Sequence, residues 1–342
     1  MLHTLRVGTE RFSSRGRAGH AGKADRWDAL AEKAIIVLGY PRSGTTWLAK
    51  IFDSHPDVMY RHEPDELTPA HPFLPPDAQI KAWLRQRGLR AAAKRPSFPK
   101  SWRSPALDRV RSALGTALTA SERVKLTARL SAYIYMPDFV TLQGWRQVRA
   151  AIKLVNWDGT LAAESMPATR SVFIVRHPCG QIASVMAGMA AGRFGDLQVD
   201  LEAAESLAAR RGTSRAGFHA LPDPAKFAWS WLAFNEPAVE NLGKLRNARI
   251  LVYEDLCRDP EGISKDLFAF ADLDWHPQTS AFLGASTRHD RSAGYFDVFR
   301  ATELAAERWR QTMDRADQQA VRAVVCGSPL ARFWPDFAAP SG

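Results

Sequence analysis

Hydrophobic residues follow two rhythms along this chain. Short apolar runs occur at Lys33–Leu38, Ala150–Val155, Ser171–Val175 and Ala248–Tyr253. The first of them, KAIIVL, alternates too little for a half-exposed strand and predicts one buried on both faces; the others give the same length signal. A shorter run, Val58–Tyr60, predicts a further strand. Between the runs the spacing lengthens to three and four. Trp47, Leu48, Ile51 and Phe52 recur in this way after Gly44 and before Pro56, and Phe227, Trp231, Phe234 and Val239 recur before the fourth run. Both stretches predict helices. The proline-rich stretch 64–76 predicts loop, and residues 78–134 predict several helices broken at Pro96, Pro99 and Pro105. Strands alternating with helices imply an α/β fold, with a central, mostly parallel sheet flanked by helices.

Composition narrows this picture. With 342 residues, 46% hydrophobic and 24% charged, the chain can bury a sizeable core. No internal repeat or low-complexity linker divides it. The expectation is one domain over residues 31–338, carrying a helical insertion at about 78–140, after a flexible extension at 1–30. The N-terminal twenty residues lack the apolar run of a secretory signal, and no stretch approaches the roughly 20 apolar residues of a membrane span, so a cytoplasmic protein is expected. The three cysteines, Cys179, Cys257 and Cys326, form no CxxC pair, which fits a reducing compartment and leaves no zinc–thiolate site.

The net charge of +10 is concentrated. Residues 81–129 hold thirteen Lys and Arg against Asp108 and Glu122 alone. Three readings of this window stand side by side: a solvated helix face, a surface that gathers an anionic or glycan acceptor, and a surface for nucleic acid or membrane. No nucleic-acid motif accompanies it, so none is expected as partner; peripheral contact with anionic surfaces stays open.

The chemistry begins at Gly39-Tyr-Pro-Arg-Ser-Gly44-Thr45-Thr46, between a buried strand and a helix. Backbone N–H groups and the helix dipole converge there, which makes an anion site. The glycine spacing is that of a P-loop, GxxxxGK[ST], but Thr45 stands where that loop has its lysine, which disfavours a kinase or ATPase. Arg42, Ser43 and Thr46 supply charge and hydroxyls instead.

PRSGTTWL after a strand resembles the 5′-phosphosulfate loop of sulfotransferases that use 3′-phosphoadenosine 5′-phosphosulfate (PAPS). The family's 3′-phosphate motif, an Arg at a strand end, a Pro two residues on and a Ser eight residues on, is matched by Arg176, Pro178 and Ser184. A third match is Tyr253-Glu-Asp-Leu256. The resemblance, from about Ala34 to Trp309, implies a P-loop-containing nucleotide-binding fold and PAPS as donor. Arg42, Ser43, Gly44, Thr45 and Thr46 would hold the 5′-phosphosulfate, Arg176 and Ser184 the 3′-phosphate, and Trp47 and Tyr253 the adenine. Lys153, inside AAIKLV, would face the bridging or sulfonate oxygens. In the family's cytosolic branch a histidine two residues after this lysine is the base; here it is Val155. The departure favours the carbohydrate-sulfotransferase pattern, with Glu63 as base and His62 as the alternative. The acceptor expected is then a hydroxyl or amine of a glycan or glycolipid, and no metal is required. Arg291 and Arg300 are candidates for a basic cover over the 3′-phosphate. A nucleotide-dependent phosphotransferase and a nucleotide- or polyanion-binding module without catalysis are the competing classes.

Overall fold

The computed structural model describes residues 26–121, 133–155, 159–192, 199–288 and 306–337. Strands β1 (Ile35–Leu38), β2 (Val58–His62), β3 (Arg149–Lys153), β4 (Arg170–Val175) and β5 (Ala248–Val252) form one sheet in the order β2-β3-β1-β4-β5. All four pairings are parallel. Helices α1 (Arg26–Glu32), α2 (Thr45–Ser54), α3 (Pro64–Leu67), α4 (Pro76–Arg85), α5 (Leu89–Ala92) and α6 (Pro105–Ser121) belong to the N-terminal half. They are followed by α7 (Thr160–Ser165), α8 (Pro178–Ala190), α9 (Leu201–Arg210), α10 (Arg215–Ala220), α11 (Asp223–Leu242), α12 (Tyr253–Arg258), α13 (Pro260–Phe270), α14 (Pro277–Arg288), α15 (Trp309–Thr312) and α16 (Arg315–Val325).

The unbroken apolar run of β1 has the physical cause expected for it. Ile36 and Leu38 enter one core with α8 and α11, whereas Ile35 and Val37 enter a second core with α2, α13 and α14. Both faces of the strand are covered, so no position is left for a polar side chain. β4 divides likewise, with Phe173 and Val175 in the first core and Val172 and Ile174 in the second. Each buried aliphatic side chain contributes roughly 1.5–3 kcal/mol; polar replacement at Val37 or Ile174 would therefore remove support from the loops that leave these strands.

Two boundaries differ from the sequence reading. The described chain is helical from Arg26, inside the stretch expected to be extension, because Leu30 and Ala31 bury against the first core. A short helix, Pro64–Leu67, interrupts the expected loop; Pro64 at its first position fixes φ where no N–H is needed. Residues 1–25 lie outside the described residues.

This topology fixes where a ligand can sit. Helix α2 leaves β1 toward the second core, and α8 leaves the neighbouring β4 toward the first. The chain thus parts to opposite faces between β1 and β4, opening a crevice at the strands' C-terminal ends.

Candidate active site

The loop Gly39–Gly44 lies at this crevice, in backbone conformations that only a few residues tolerate. Gly39, Arg42 and Gly44 have φ of 154°, 72° and 100°. A Cβ on Gly39 would stand 2.6 Å from the Ile174 carbonyl oxygen and 2.6 Å from Ser43 Oγ. One on Gly44 would stand 2.5 Å from the Tyr253 ring. The loop is therefore wound as tightly as backbone allows, and Gly44 precedes α2 without any side-chain cap on the helix N-terminus. Gly44→Ala is expected to cost about 1–3 kcal/mol of stability and to weaken phosphate binding, measured by thermal melts with and without nucleotide. Unchanged values for both would contradict the tight loop.

The second anion element is bonded directly to the first. Arg176, just past β4, donates from Nη1 to the Arg42 carbonyl oxygen at 3.1 Å, and its guanidinium lies 4.6 Å from the Tyr253 ring centroid. Arg42 Nε donates to Ser184 Oγ at 3.3 Å. Arg42, Arg176 and Ser184, 134 and 142 residues from the loop residue in sequence, are thus brought into one patch. Ser43 is fully buried, and its hydroxyl has no hydrogen-bond partner among the described residues. A buried hydroxyl left unpaired costs about 1–3 kcal/mol, so the residues present fit a bound phosphate that this oxygen would meet. Thr45 is buried at the first position of α2, with Thr46 beside it.

The third element comes from the other side of β1. Lys153 ends β3, paired in register with Val37 of β1 and His62 of β2. Strand β2 runs two residues further than the sequence suggested, through His62, and so delivers Glu63 at a strand end. Glu63 has φ 48° and ψ 48°, a left-handed conformation held by its N–H donating to the Lys153 carbonyl at 2.9 Å. Its carboxylate forms an ion pair with the Lys153 ammonium and has His62 Nε2 at 3.4 Å. His62 Nδ1 lies 2.7 Å from the Tyr60 hydroxyl.

Charge orders the protons in this chain. Burial opposes ionisation of Glu63, but Lys153, with a smaller contribution from Lys94, outweighs it and holds the carboxyl far below its usual value of 4.5. Burial pushes His62 well below its usual 6.5, so the ring is neutral. With Tyr60 donating to Nδ1, the remaining ring proton sits on Nε2 and faces Glu63. That tautomer leaves His62 no lone pair toward the carboxylate.

Trp47 and Tyr253, expected at the adenine, are brought together edge to face at 6.4 Å and are both largely buried. Trp47 Nε1 donates to Ser286 at 3.2 Å. They wall the loop: Tyr253 is wedged between Gly44 and Arg176. Arg291 and Arg300 lie outside the described residues, whereas Arg310 pairs with Glu307 and with Asp336 at 3.6 Å.

One support escaped the sequence. His177, at the N-terminus of α8, stacks on Trp309 at 4.3 Å and has Asp336 at 3.2 Å from Nε2. Its backbone N–H donates to Glu254 Oε1, while Trp334 donates to Glu254 Oε2. The C-terminal residues thereby fix the turn that carries Arg176. The only signal was Glu254 within Tyr-Glu-Asp-Leu, where a carboxylate beside a strand end needs donors.

The loop after β1, the Arg176 turn after β4 and the Lys153–Glu63 pair at the ends of β3 and β2 thus share one edge of the sheet, at its topological switch point. Sequence comparison gives the family: the profile of the sulfotransferase family matches residues 34–277. The chain belongs to that family and is a sulfotransferase. No curated protein sequence matches it. Solved structures similar to it include a mouse sulfotransferase complexed with PAP, 14% identical, with a TM-score of 0.41, covering 87% of this chain and 85% of that one. A sulfotransferase from Mycobacterium avium is 17% identical with a TM-score of 0.39, covering 89% and 79%. The sulfotransferase domain of the curacin biosynthetic pathway is 14% identical with a TM-score of 0.39, covering 85% and 96%.

Proposed function

We propose that this enzyme transfers a sulfonate group from PAPS to a hydroxyl or amine of an acceptor, a carbohydrate or glycolipid. The observation that carries the donor is the bonded patch of Arg42, Arg176 and Ser184 beside the Ser43 loop, two anion sites on adjacent strands suited to a nucleotide with phosphate at both 3′ and 5′ positions. PAPS supplies the activated sulfonate. The amides and hydroxyls from Ser43 to Thr46 hold its 5′ end, and Arg176 with Ser184 holds the 3′-phosphate. Trp47 and Tyr253 stay as the packed wall on the adenine side.

Lys153 then acts at the transferred group. Its ammonium, 3% exposed, is placed to neutralise charge that grows on the bridging oxygen, and such preorganised charge is worth more in a dry site than in water. Glu63 accepts the acceptor's proton. In the resting protein it is a weak base, because Lys153 stabilises its anion; sharing that ammonium with a sulfonate weakens the pair, lets burial dominate and makes Glu63 more basic when transfer begins.

This coupling predicts a pH signature. The acid limb of kcat/KM, which reports the free enzyme, lies below the ordinary carboxylate value, whereas the acid limb of kcat, which reports the bound complex, lies at higher pH. Steady-state assays with PAPS in EDTA test both parts. Turnover that survives the chelator with limbs in this order supports the reading; turnover only with Mg²⁺ and ATP, or limbs in the reverse order, contradicts it.

A further inference from the structure

The basic insertion does not present its charge only to solvent. Beside the edge strand β2 it encloses a cavity of about 620 Å³ lined by six cationic and three acidic side chains. The acids are already shared. Asp53 takes both Lys50 and Lys100; Asp138 takes a two-pronged contact from Arg61 at 3.2 and 2.7 Å and also has Arg111 at 3.5 Å and Arg87 at 3.6 Å. Asp108 is engaged by Arg103 at 2.6 Å. Arg109 of this lining is exposed and Lys94 half-buried, which leaves four inner cations, Arg61, Lys100, Arg103 and Arg111, against the three acids, and buried charge is costly unless it is fully met.

Two of these paired guanidinium groups keep an unmet donor, although Arg111 Nη2 also donates to the Ala92 carbonyl at 2.8 Å. The side chains of Arg103 and Arg111 are 8% and 9% exposed, and the Nε–H of each is buried without a hydrogen-bond partner among the described residues. Burial and neighbouring cations bring Arg111 down to about 10, and burial brings Lys100 down to about 8. Apolar surface lies alongside: Met59, Phe98 and Trp102 also line the cavity, with Arg103 stacked 4.4 Å over Trp102.

Glu63 and Lys153 do not line the cavity, but two of its walls lead toward them. Tyr60 is one of its walls, and the Tyr60 hydroxyl reaches His62, which touches Glu63. Lys94, another wall, lies close enough for its charge to depress Glu63. We propose that this cavity is the acceptor site and that it selects an acidic glycoside, a sugar that carries its own carboxylate or other anionic group. The buried guanidinium pair of Arg103 and Arg111 takes the anion, and the aromatic wall takes the aglycone or sugar face. This rests on the sulfonate-transfer reading above and deepens it to an acceptor class.

Calorimetry on the protein saturated with adenosine 3′,5′-bisphosphate tests it, using 4-nitrophenyl β-D-glucuronide against 4-nitrophenyl β-D-glucoside. The two probes differ by a carboxylate in place of a hydroxymethyl group. The glucuronide is expected to bind about tenfold or more tightly, as a charge-assisted bond to a buried guanidinium would give. Arg111→Met should bring the two within about threefold, and Arg111→Lys, which keeps the charge, should retain part of the preference. Retained affinity for the bisphosphate in both variants shows that they are folded and that the donor site stands. Equal affinity of the wild-type protein for the two probes, including none for either, overturns the acceptor class. So does a preference that survives in both Arg111→Met and Arg103→Met. Failure to bind the bisphosphate at all overturns instead the donor reading on which this one rests.

Discussion

Lys153→Met is expected to lower kcat by about 10²–10³-fold, the size of effect seen when a preorganised charge is removed from a developing oxyanion. The methionine side chain keeps most of the volume at the end of β3 and removes only the ammonium, so the strand pairing with Val37 and His62 persists. Donor affinity should change far less than turnover, because the phosphates are held by the loop and by Arg176. The variant also separates two roles of the lysine. Without it the Glu63 carboxylate loses its strongest stabilising neighbour, and breaking a buried pair costs about 3 kcal/mol or more. Sign follows directly: the depressed Glu63 contributes stability above its unfolded value of about 4.5, which is lost as pH falls toward the folded value. Above that range Lys153→Met should thus melt earlier than wild type, and in strong acid the two should converge. Wild-type kcat in a folded Lys153→Met protein would remove the lysine from the mechanism.

Arg176→Ala is expected to weaken adenosine 3′,5′-bisphosphate by about 10–100-fold, the worth of a charge-assisted bond to phosphate. AMP, which lacks the 3′-phosphate, should lose much less. Some loss for AMP is built into the geometry, because Arg176 also donates to the Arg42 carbonyl and covers the Tyr253 ring. Ser184→Ala leaves both contacts in place but removes the acceptor of Arg42 Nε, and a smaller change of the same sign is expected from it. Equal losses for the two nucleotides in both variants would make Arg176 a loop support only.

The sequence made the donor half of the site legible because its elements are local. A buried strand, a glycine-wound turn and a helix follow within twenty residues, and the Arg176 and Ser184 spacing is set by one strand end and the first turns of one helix. Lys153 was legible for a related reason, since a lysine in an apolar strand has few destinations other than the ligand edge. The cavity proposed for the acceptor was not. Composition counts the cations of 81–129 but cannot show that Asp53, from α2, and Asp138, from beyond that window, draw Lys100 and Arg111 inward. A solvated face and a charged cavity have the same arginine count; which one forms depends on contacts 47 to 77 residues apart. Trp83 and Trp102, which lie in the same basic window, are fully buried, as they pack the insertion against the sheet. The brace on His177 is longer in range still, with Asp336 159 residues away, and no periodicity reports such a contact.

The choice between Glu63 and His62 was likewise beyond the sequence, which places both at the end of one strand. Burial and the Lys153 charge are the grounds for proposing Glu63. The histidine is kept neutral between Tyr60 and Glu63, and the carboxylate is kept ionised by Lys153.

The central claim, two phosphate sites built for one bisphosphorylated nucleotide, is tested most directly by calorimetry of the wild-type protein in EDTA with adenosine 3′,5′-bisphosphate, AMP and ATP. The account predicts tight binding selective for the bisphosphate by about tenfold or more over AMP, with no requirement for a divalent ion. Equal affinity for AMP, or preference for ATP that appears only when Mg²⁺ is restored, would contradict it.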